Sequence, residues 1–209
     1  MAIYRYPHAV VQIFCKTPQL GQVKTRLMPE LSAEDALAAH LELSRRTLDM
    51  ATKNRLCPVE LWCTPTVDHP FFTEAAQHGS LRLVEQQGRD LGERMHHAMS
   101  TALRDYARAV LIGTDCPSLT AQDIEAAITA LEGPVNAVFV PAEDGGYVLV
   151  GLNRPRPELF ANMPWGTSAV MDITRARLAA MGQTYVELAR RWDVDTAEDF
   201  ARYRQLQGD

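Results

Sequence analysis

Short apolar stretches alternate along the chain with longer segments in which apolar residues recur every three or four positions. The short stretches predict buried strands and the longer segments predict amphipathic helices. Because strands and helices take turns almost throughout, the pattern predicts an α/β sandwich with a mainly parallel sheet. Strands are expected at 9–14, 59–63, 81–86, 109–112, 137–140, 147–150 and 184–188. Helices are expected at 33–53 after a Ser32 cap, 71–77 with Gly79 ending the helix, 91–106, 121–131 after a Thr120 cap, 168–181 and 196–205.

Residues 109–112 are four consecutive apolar residues, which is typical of a strand buried on both faces at the centre of a parallel sheet. In open α/β sheets, ligands bind outside the carboxyl ends of the strands. We therefore expect the polar residues that follow the strands to converge at one edge of the sheet and to carry the function.

Composition narrows the class of protein. The chain has 209 residues, of which 46% are hydrophobic and 22% charged, so we expect one domain spanning residues 1–209. A formal net charge of −5 argues against a nucleic-acid or anionic-membrane binder. Neither a signal peptide nor an apolar run long enough to span a bilayer is evident, which predicts a cytoplasmic protein without a membrane span.

The four cysteines lack the spacing of a zinc site or a CxxC pair, so we expect reduced and mostly buried thiols. Cys116 adjoins a candidate metal ligand and is the one thiol with a potential direct role.

The loop after the first predicted strand carries three cations. Lys16, Lys24 and Arg26 stand near its two ends, while Pro18 and Gly21 bend the chain between them. Lysine offers a point charge and arginine a planar fork for phosphate oxygens, and glycine lets backbone amides approach closely. This arrangement suits a polyphosphate, although it lacks the Walker pattern; an ordinary basic surface loop is the alternative.

Carboxylates follow two other predicted strands. Asp115 comes directly after residues 109–112, and Asp193 and Asp195 follow the last strand. Mg²⁺ takes oxygen ligands and commonly uses one or two carboxylates together with substrate phosphates, so these three residues are candidate ligands. Alternatively, Asp115 only binds turn amides. Thr196 and Asp199 are explained by a helix cap.

Two further groups of turn residues are candidates for binding the remaining parts of a substrate. Asp144, Gly145 and Gly146 join two strands, and Trp165, Thr167 and Ser168 precede a helix; a hairpin turn, a core tryptophan and a serine cap are the structural alternatives. Another strand-to-helix turn could contact a base or ribose; its candidate residues are Gln87, Gly88, Asp90 and Gly92.

The order of these motifs is distinctive. Over about residues 9–203, K-T-P-x-x-G-x-x-K-T-R-L, Q-G-x-x-L-G-E-R-M, G-T-D-C-P-S-L, D-G-G-Y, W-G-T-S and D-V-D-T-x-E-D follow one another. This order resembles the bacterial GT-A-type nucleotide-diphospho-sugar transferase-like family of uncharacterised glycosyltransferases. The Lys24-Thr25-Arg26 segment is also similar to loops of 2-phospholactate guanylyltransferase and of related nucleotidyltransferases.

The resemblance implies a Rossmann-like α/β/α sandwich with a mainly parallel mixed sheet and a nucleotide partner, either an NTP or an NDP-sugar. It implies that the basic loop, including Thr25, binds phosphates, that Asp115 binds Mg²⁺ or Mn²⁺, and that Asp193 or Asp195 is the second ligand. The loop departs from the G-x-G-[ST]-R-[ML] fingerprint of sugar-phosphate nucleotidyltransferases, so the second substrate stays open.

Two chemistries follow. Nucleotidyl transfer to a small phosphorylated or carboxylate acceptor is favoured, because three cations exceed what a metal-bound diphosphate needs; Lys24, Arg26 and Asp115 would then be catalytic. Glycosyl transfer from an NDP-sugar is the alternative, with Asp144 or Glu143 as base. A nucleotide-sensing module without catalysis would need no paired carboxylates. The base, the acceptor and a homodimer are left open.

Overall fold

The structure is a computed structural model that describes residues 4–79 and 81–206. It contains one seven-stranded mixed sheet with helices on both faces. The strands are β1 (Ala9–Lys16), β2 (Val59–Thr64), β3 (Arg82–Glu85), β4 (Arg108–Ile112), β5 (Ala137–Pro141), β6 (Tyr147–Leu152) and β7 (Tyr185–Glu187). The helices are α1 (Ala33–Lys53), α2 (Pro70–Gly79), α3 (Leu91–Asp105), α4 (Ala121–Ala130), α5 (Val170–Ala180) and α6 (Ala197–Gln205), with 3-10 turns at Thr25–Leu27 and Pro157–Leu159.

The strand order is β3-β2-β1-β4-β6-β5-β7, which places β4 at the centre as the apolar run predicts. Strand β1 pairs in parallel with β2 and β4, and β6 runs antiparallel between β4 and β5. Every strand except β6 therefore points the same way, and the predicted mainly parallel mixed sheet is confirmed. The carboxyl ends of the parallel strands share one edge, called the carboxyl edge below.

Side chains of β1 alternate between two hydrophobic layers. Val11 and Ile13 pack in the layer with α1, α2 and α4, whereas Val10 packs with α3 and α5. This period of two is what a strand covered by helices on both faces requires. All four cysteines are buried and free, so the expectation of reduced thiols in the interior is confirmed.

A third apolar cluster joins the two ends of the chain. Leu27, at the end of the basic loop, packs with Trp192, Val194 and Tyr203 and with residues of α1. This cluster seats the basic loop beside residues 192–195, although some 165 positions separate them in sequence. Burial of apolar surface thus brings the predicted phosphate loop to the predicted acidic turn.

The predicted caps of three helices are present. Ser32, Thr120 and Thr196 each accept a hydrogen bond from the backbone amide three residues later. The start of α5 was predicted wrongly: the helix begins at Val170, and Ala169, not Ser168, occupies the cap position. Gly79 belongs to α2 instead of following it. No helix within 4–79 or 81–206 is both long and apolar enough to cross a membrane.

Candidate active site

Lys24 ties three segments together at the carboxyl edge. Its ammonium lies 2.8 Å from Asp115 Oδ1 and donates a 2.6 Å hydrogen bond to the carbonyl of Val194. The same nitrogen is 4.0 Å from Asp195 Oδ1, and the Lys24 side chain is only 6% exposed. The amide of Val194 also donates to the carbonyl of Asp115 at 2.9 Å. The basic loop, the end of β4 and residues 193–195 therefore meet, as their positions after strands predict.

The other two cations of the loop already have internal partners. Lys16 donates to the Gln22 carbonyl at 2.6 Å, which closes the loop, and Arg26 donates to Asp195 Oδ2 at 2.9 Å. Gly21 has a φ of 72°, a left-handed value that glycine adopts without strain. Thr25 is exposed and begins the 3-10 turn.

Three carboxylates gather next to this ion pair. One carboxylate oxygen from each of Asp144, Asp193 and Asp195 lies within 4.8 Å of the others. Sequence reasoning placed Asp193 and Asp195 with Asp115, and Asp144 with the acceptor; the structure instead groups Asp144 with the two later aspartates. The position of Asp144 after a predicted strand could have indicated this grouping, since it also lies at the carboxyl edge. A hairpin turn, however, already explained an aspartate at this position.

The electrostatics of the cluster favour a cation. Burial, followed by the neighbouring charges of Asp195 and Asp144, raises the pKa of Asp193 to about 7. Burial also raises the pKa of Asp195, although Lys24 and Arg26 partly offset it. Among the residues that the structure describes, Asp193 forms no ion pair. Three converging carboxylates, of which Asp144 and Asp193 form no ion pair among the described residues, fit Mg²⁺ or Mn²⁺, which prefer oxygen ligands.

Two adjoining clefts open beside this group and share Phe14, Leu91 and Gly113. The first, of about 470 Å³, is called the cationic cleft. It contains Lys16, Lys24 and Arg94 together with Asp115, and its other lining residues are Phe14, Cys15, Val23, His40, Thr64, Gln86, Leu91, Gly113 and Thr114. Arg94 belongs to the Q-G-x-x-L-G-E-R-M motif but is not among the candidate residues predicted for that turn, because its place in α3 gives no sign that it lines a cleft with Lys16 and Lys24.

The second, of about 220 Å³, is called the aromatic cleft. Its walls include Phe14, Tyr147 and Trp165, and the Tyr147 and Trp165 rings meet edge to face at 6.1 Å. Asp144 and Asp193 reach it from the acidic cluster. Its remaining lining residues are Leu91, Met95, Leu111, Gly113, Ala142, Gly146, Val148, Val150, Gly166, Thr167 and Val170.

Gly113 belongs to both clefts, and sequence reasoning did not single it out. A Cβ added there would meet no atom within 4 Å. Neither packing nor a left-handed backbone therefore explains this glycine. It lines both clefts together with Phe14 and Leu91.

Gly145 and Ser168 instead have a packing role. Gly145 has a φ of 92°, and a Cβ there would come within 2.3 Å of the Ser168 carbonyl oxygen. The Met171 amide donates to the Gly145 carbonyl at 2.9 Å. The turn at 144–147 thus packs directly against the start of α5, which explains why the D-G-G-Y and W-G-T-S motifs occur together.

The turn before α3 also has structural explanations. Asp90 caps α3 by accepting from the Glu93 amide at 2.8 Å, and a Cβ on Gly92 would come within 2.4 Å of the Phe160 carbonyl oxygen. Gly88 has a φ of 142° and abuts the Arg94 amide. Gln87 is exposed. Gln86, the residue before this predicted set, lines the cationic cleft, so a nucleotide-binding role for the set itself stays a prediction.

Glu143 is engaged elsewhere. Arg202 donates to its carboxylate at 2.8 Å and stacks on the Trp192 ring at 4.2 Å. The hydrogen bond from Arg202 lowers the pKa of Glu143. Of the two bases considered for glycosyl transfer, Asp144 is therefore the better placed.

A family model described as "Uncharacterized protein conserved in bacteria (DUF2064)" matches residues 47–167, more than half of the chain. The chain belongs to this family. The matched segment contains Gly113, Asp115, Asp144 and Trp165, whereas the basic loop and Asp193 lie outside it. No curated protein sequence matches the chain.

Solved structures extend the comparison. A protein from Desulfovibrio desulfuricans G20, provisionally described as a nucleotide-diphospho-sugar transferase, is 29% identical over 91% of this chain and 83% of its own, with a TM-score of 0.82. CMP:2-keto-3-deoxy-manno-octonic acid synthetase in complex with CTP is 14% identical, covering 96% of this chain and 98% of its own, with a TM-score of 0.58.

The 4-diphosphocytidyl-2C-methyl-D-erythritol synthase of Anaerococcus prevotii DSM 20548 is 10% identical, covering 97% of each chain, with a TM-score of 0.64. At 14% and 10% identity these two likenesses concern the fold alone. The predicted nucleotide-diphospho-sugar transferase-like fold is confirmed.

Proposed function

We propose that this protein is a divalent-metal-dependent transferase that binds a nucleoside-diphosphate sugar and moves the sugar to a small-molecule acceptor. Two unlike clefts that share Phe14, Leu91 and Gly113 carry the proposal. One cleft is cationic and the other is aromatic and acidic, because Asp144 and Asp193 of the carboxylate cluster line it. A ligand with a charged diphosphate at one end and a ring at the other fits this division.

The cationic cleft would hold the nucleotide and its phosphates. Lys16 and Arg94 line this cleft as cations that pair with no carboxylate within the described part of the chain. Lys24 also lines it, while its ammonium contacts Asp115. Lysine and arginine are the usual partners of phosphate oxygens. Gly113, which lines both clefts together with Phe14 and Leu91, adds no side chain where the diphosphate would reach the second cleft.

Asp193 and Asp195 would hold Mg²⁺ or Mn²⁺ together with phosphate oxygens of the ligand, which leaves Asp144, the third carboxylate of the cluster, available as a base. When bound, the ion neutralises charge on the departing diphosphate. Arg26 and Lys24 keep Asp195 in place from the other side, so this carboxylate would have a fixed position before a ligand arrives.

The transfer itself is a substitution at the anomeric carbon of the sugar. An acceptor hydroxyl oxygen forms a bond to that carbon, the carbon–oxygen bond to the diphosphate breaks, and the diphosphate oxygen keeps the electron pair. Asp144 is the most exposed of the three carboxylates and lines the aromatic cleft, so we assign it as acceptor of the hydroxyl proton.

Nucleotidyl transfer is the second candidate, and the basic loop supports it. In the sequence, three cations in this loop exceed the number that a metal-bound diphosphate needs. In the structure, Lys24 pairs with Asp115 and Arg26 pairs with Asp195, so fewer cations are available for additional phosphates. In addition, none of the described residues that line the aromatic cleft is a lysine or arginine for a phosphorylated or carboxylate acceptor. Both observations favour glycosyl transfer.

Product analysis separates the two chemistries. The purified protein is incubated with Mn²⁺, a panel of NDP-sugars or NTPs and a mixture of small hydroxylated acceptors, and released diphosphates and pyrophosphate are quantified by chromatography. We expect NDP release from an NDP-sugar, and Asp144→Asn should lower that rate by about 10²–10⁴-fold, as loss of a general base does. Asp172→Asn is the control, because Asp172 is exposed and pairs with Arg175 on α5. Pyrophosphate release from an NTP would favour the second candidate, and no turnover with any nucleotide would contradict both.

A further inference from the structure

We propose that the aromatic cleft selects an uncharged, hydroxylated sugar ring and rejects acidic sugars. This inference rests on the proposed function and adds the chemistry of the group transferred. It differs from the sequence analysis, which favoured nucleotidyl transfer to a phosphorylated or carboxylate acceptor and therefore an anionic second substrate.

The charged side chains that line the aromatic cleft are all acidic among the residues described. Asp144 and Asp193 line it, and of the described residues that line it none is a lysine, arginine or histidine. Asp195, the third aspartate of the cluster, pairs with Arg26 and Lys24, whereas Asp144 and Asp193 form no ion pair among the described residues. A carboxylate on the sugar would therefore find two acidic side chains and no cationic side chain on the walls of the cleft.

The hydrogen-bonding capacity of the cleft points the same way. An ionised aspartate only accepts hydrogen bonds, so its ligand must donate, which a sugar hydroxyl does and an ionised acid does not.

Shape and apolar surface complete the argument. Phe14, Tyr147 and Trp165 offer ring surfaces against which the carbon-bound hydrogens of a sugar can pack. A volume of about 220 Å³ is below the roughly 300–1,000 Å³ of pockets for drug-sized ligands. The aromatic cleft thus takes one ring, while the larger cationic cleft takes the nucleotide.

Calorimetric titration tests this selectivity. UDP, GDP, CDP and ADP are first titrated in the presence of Mn²⁺, and the diphosphate that binds most tightly is then compared as its glucose and its glucuronic acid conjugates. These differ only in a hydroxymethyl group against a carboxylate at carbon 6. We expect the glucose conjugate to bind at least tenfold more tightly.

Equal affinities, or tighter binding of the glucuronic acid conjugate, would overturn the inference while leaving the proposed function standing. If none of the four diphosphates binds, the proposed function fails and the inference fails with it. The first titration therefore distinguishes the two failures.

A charge placed in the cleft gives an independent test. Thr167 is exposed, lines the aromatic cleft and donates its hydroxyl to the Pro164 carbonyl. Thr167→Arg should reduce the preference for the glucose conjugate at least fivefold without changing the affinity for the diphosphate alone. Thr73→Arg is the matched control, since Thr73 is also exposed and donates to a backbone carbonyl, but in α2. An unchanged preference in a folded Thr167→Arg protein would contradict the inference.

Discussion

Asp123 and Asp193 are both at least partly buried, yet their pKa values are shifted in opposite directions. Residues 191–193 are common to both environments, since Arg191 binds Asp123 and Asp193 follows two positions later. Arg191 donates to both oxygens of Asp123, at 2.7 and 3.0 Å, and the Thr120 hydroxyl and amide donate as well. Burial favours the neutral acid, but these bonds outweigh it and lower the pKa of Asp123. Two residues after Arg191, Asp193 faces Asp144 and Asp195 instead, and its pKa rises to about 7.

The difference separates a structural carboxylate from a functional one. Asp123 satisfies its lone pairs within the protein and fixes the start of α4 to residue 191. Asp193 carries a desolvation cost that the described residues do not offset, and such groups concentrate at binding and catalytic sites. The sequence singled out Asp193 as a candidate ligand, but it could not show which carboxylate Arg191 pairs with, because Arg191 and Asp123 lie 68 positions apart in the chain.

Removing Asp123 should have the largest effect on stability. Asp123→Ala leaves the Arg191 guanidinium without its partner and deletes a capping residue, so we expect a loss of about 2–4 kcal/mol in the free energy of unfolding, measured by urea denaturation. Asp199→Ala is the matched control: it occupies the same position in the Thr196 capping box of α6 but forms no ion pair among the described residues. Its expected cost is about 1 kcal/mol. Equal losses would mean that the Arg191 pair contributes nothing.

Divalent metal should stabilise the fold through Asp193. Binding to the native state alone adds about 2.7 kcal/mol at a metal concentration one hundred times the dissociation constant. We expect Mn²⁺ to raise the thermal midpoint of the EDTA-treated protein, and Asp193→Asn to abolish most of that rise. Asp172→Asn should retain it. A full response in Asp193→Asn would remove this residue from the proposed ligand set.

Without metal, Asp193→Asn should be the smallest of these effects and of opposite sign to Asp123→Ala. The folded pKa of Asp193 is about 7 against an ordinary 3.8, so the wild-type protein loses stability as pH rises between these values. The asparagine variant escapes this loss. After discounting for partial exposure, we expect it to be about 1 kcal/mol more stable than wild type at pH 8 and equal to it near pH 4. If Asp193→Asn is less stable than wild type at pH 8, the ionised Asp193 carboxylate does not destabilise the folded protein and this interpretation is wrong.

The secondary structure was largely predictable, because the spacing at which apolar residues recur along the chain reflects local backbone geometry. The four-residue apolar run correctly indicated β4 at the centre, and Thr120 and Thr196 correctly indicated helix starts. Ser168 misled, since a serine before a helical pattern suggests a cap, whereas here the segment is held by the close approach of Gly145. That approach joins residues more than twenty positions apart and leaves no local signal.

The candidate site was partly predictable for a similar reason. Parallel strands share an edge, so Lys24, Asp115 and Asp195 could be expected near one another, and they are. Arg94, Gly113 and Tyr147 could not be found, because lining a cleft depends on what the neighbouring elements leave uncovered. The roles of these residues in binding and catalysis stay predictions.

By itself, the sequence determined the class of fold and the chemical groups available at its carboxyl edge, because periodicity and strand order act through short-range geometry. Only the tertiary structure decided which charges neutralise each other. Lys24 and Arg26 pair with Asp115 and Asp195, Arg191 pairs with Asp123, and Asp193 lies among carboxylates. Pairing of charges depends on distances of a few ångströms between segments far apart in the chain, and these are set by the packing of the whole core.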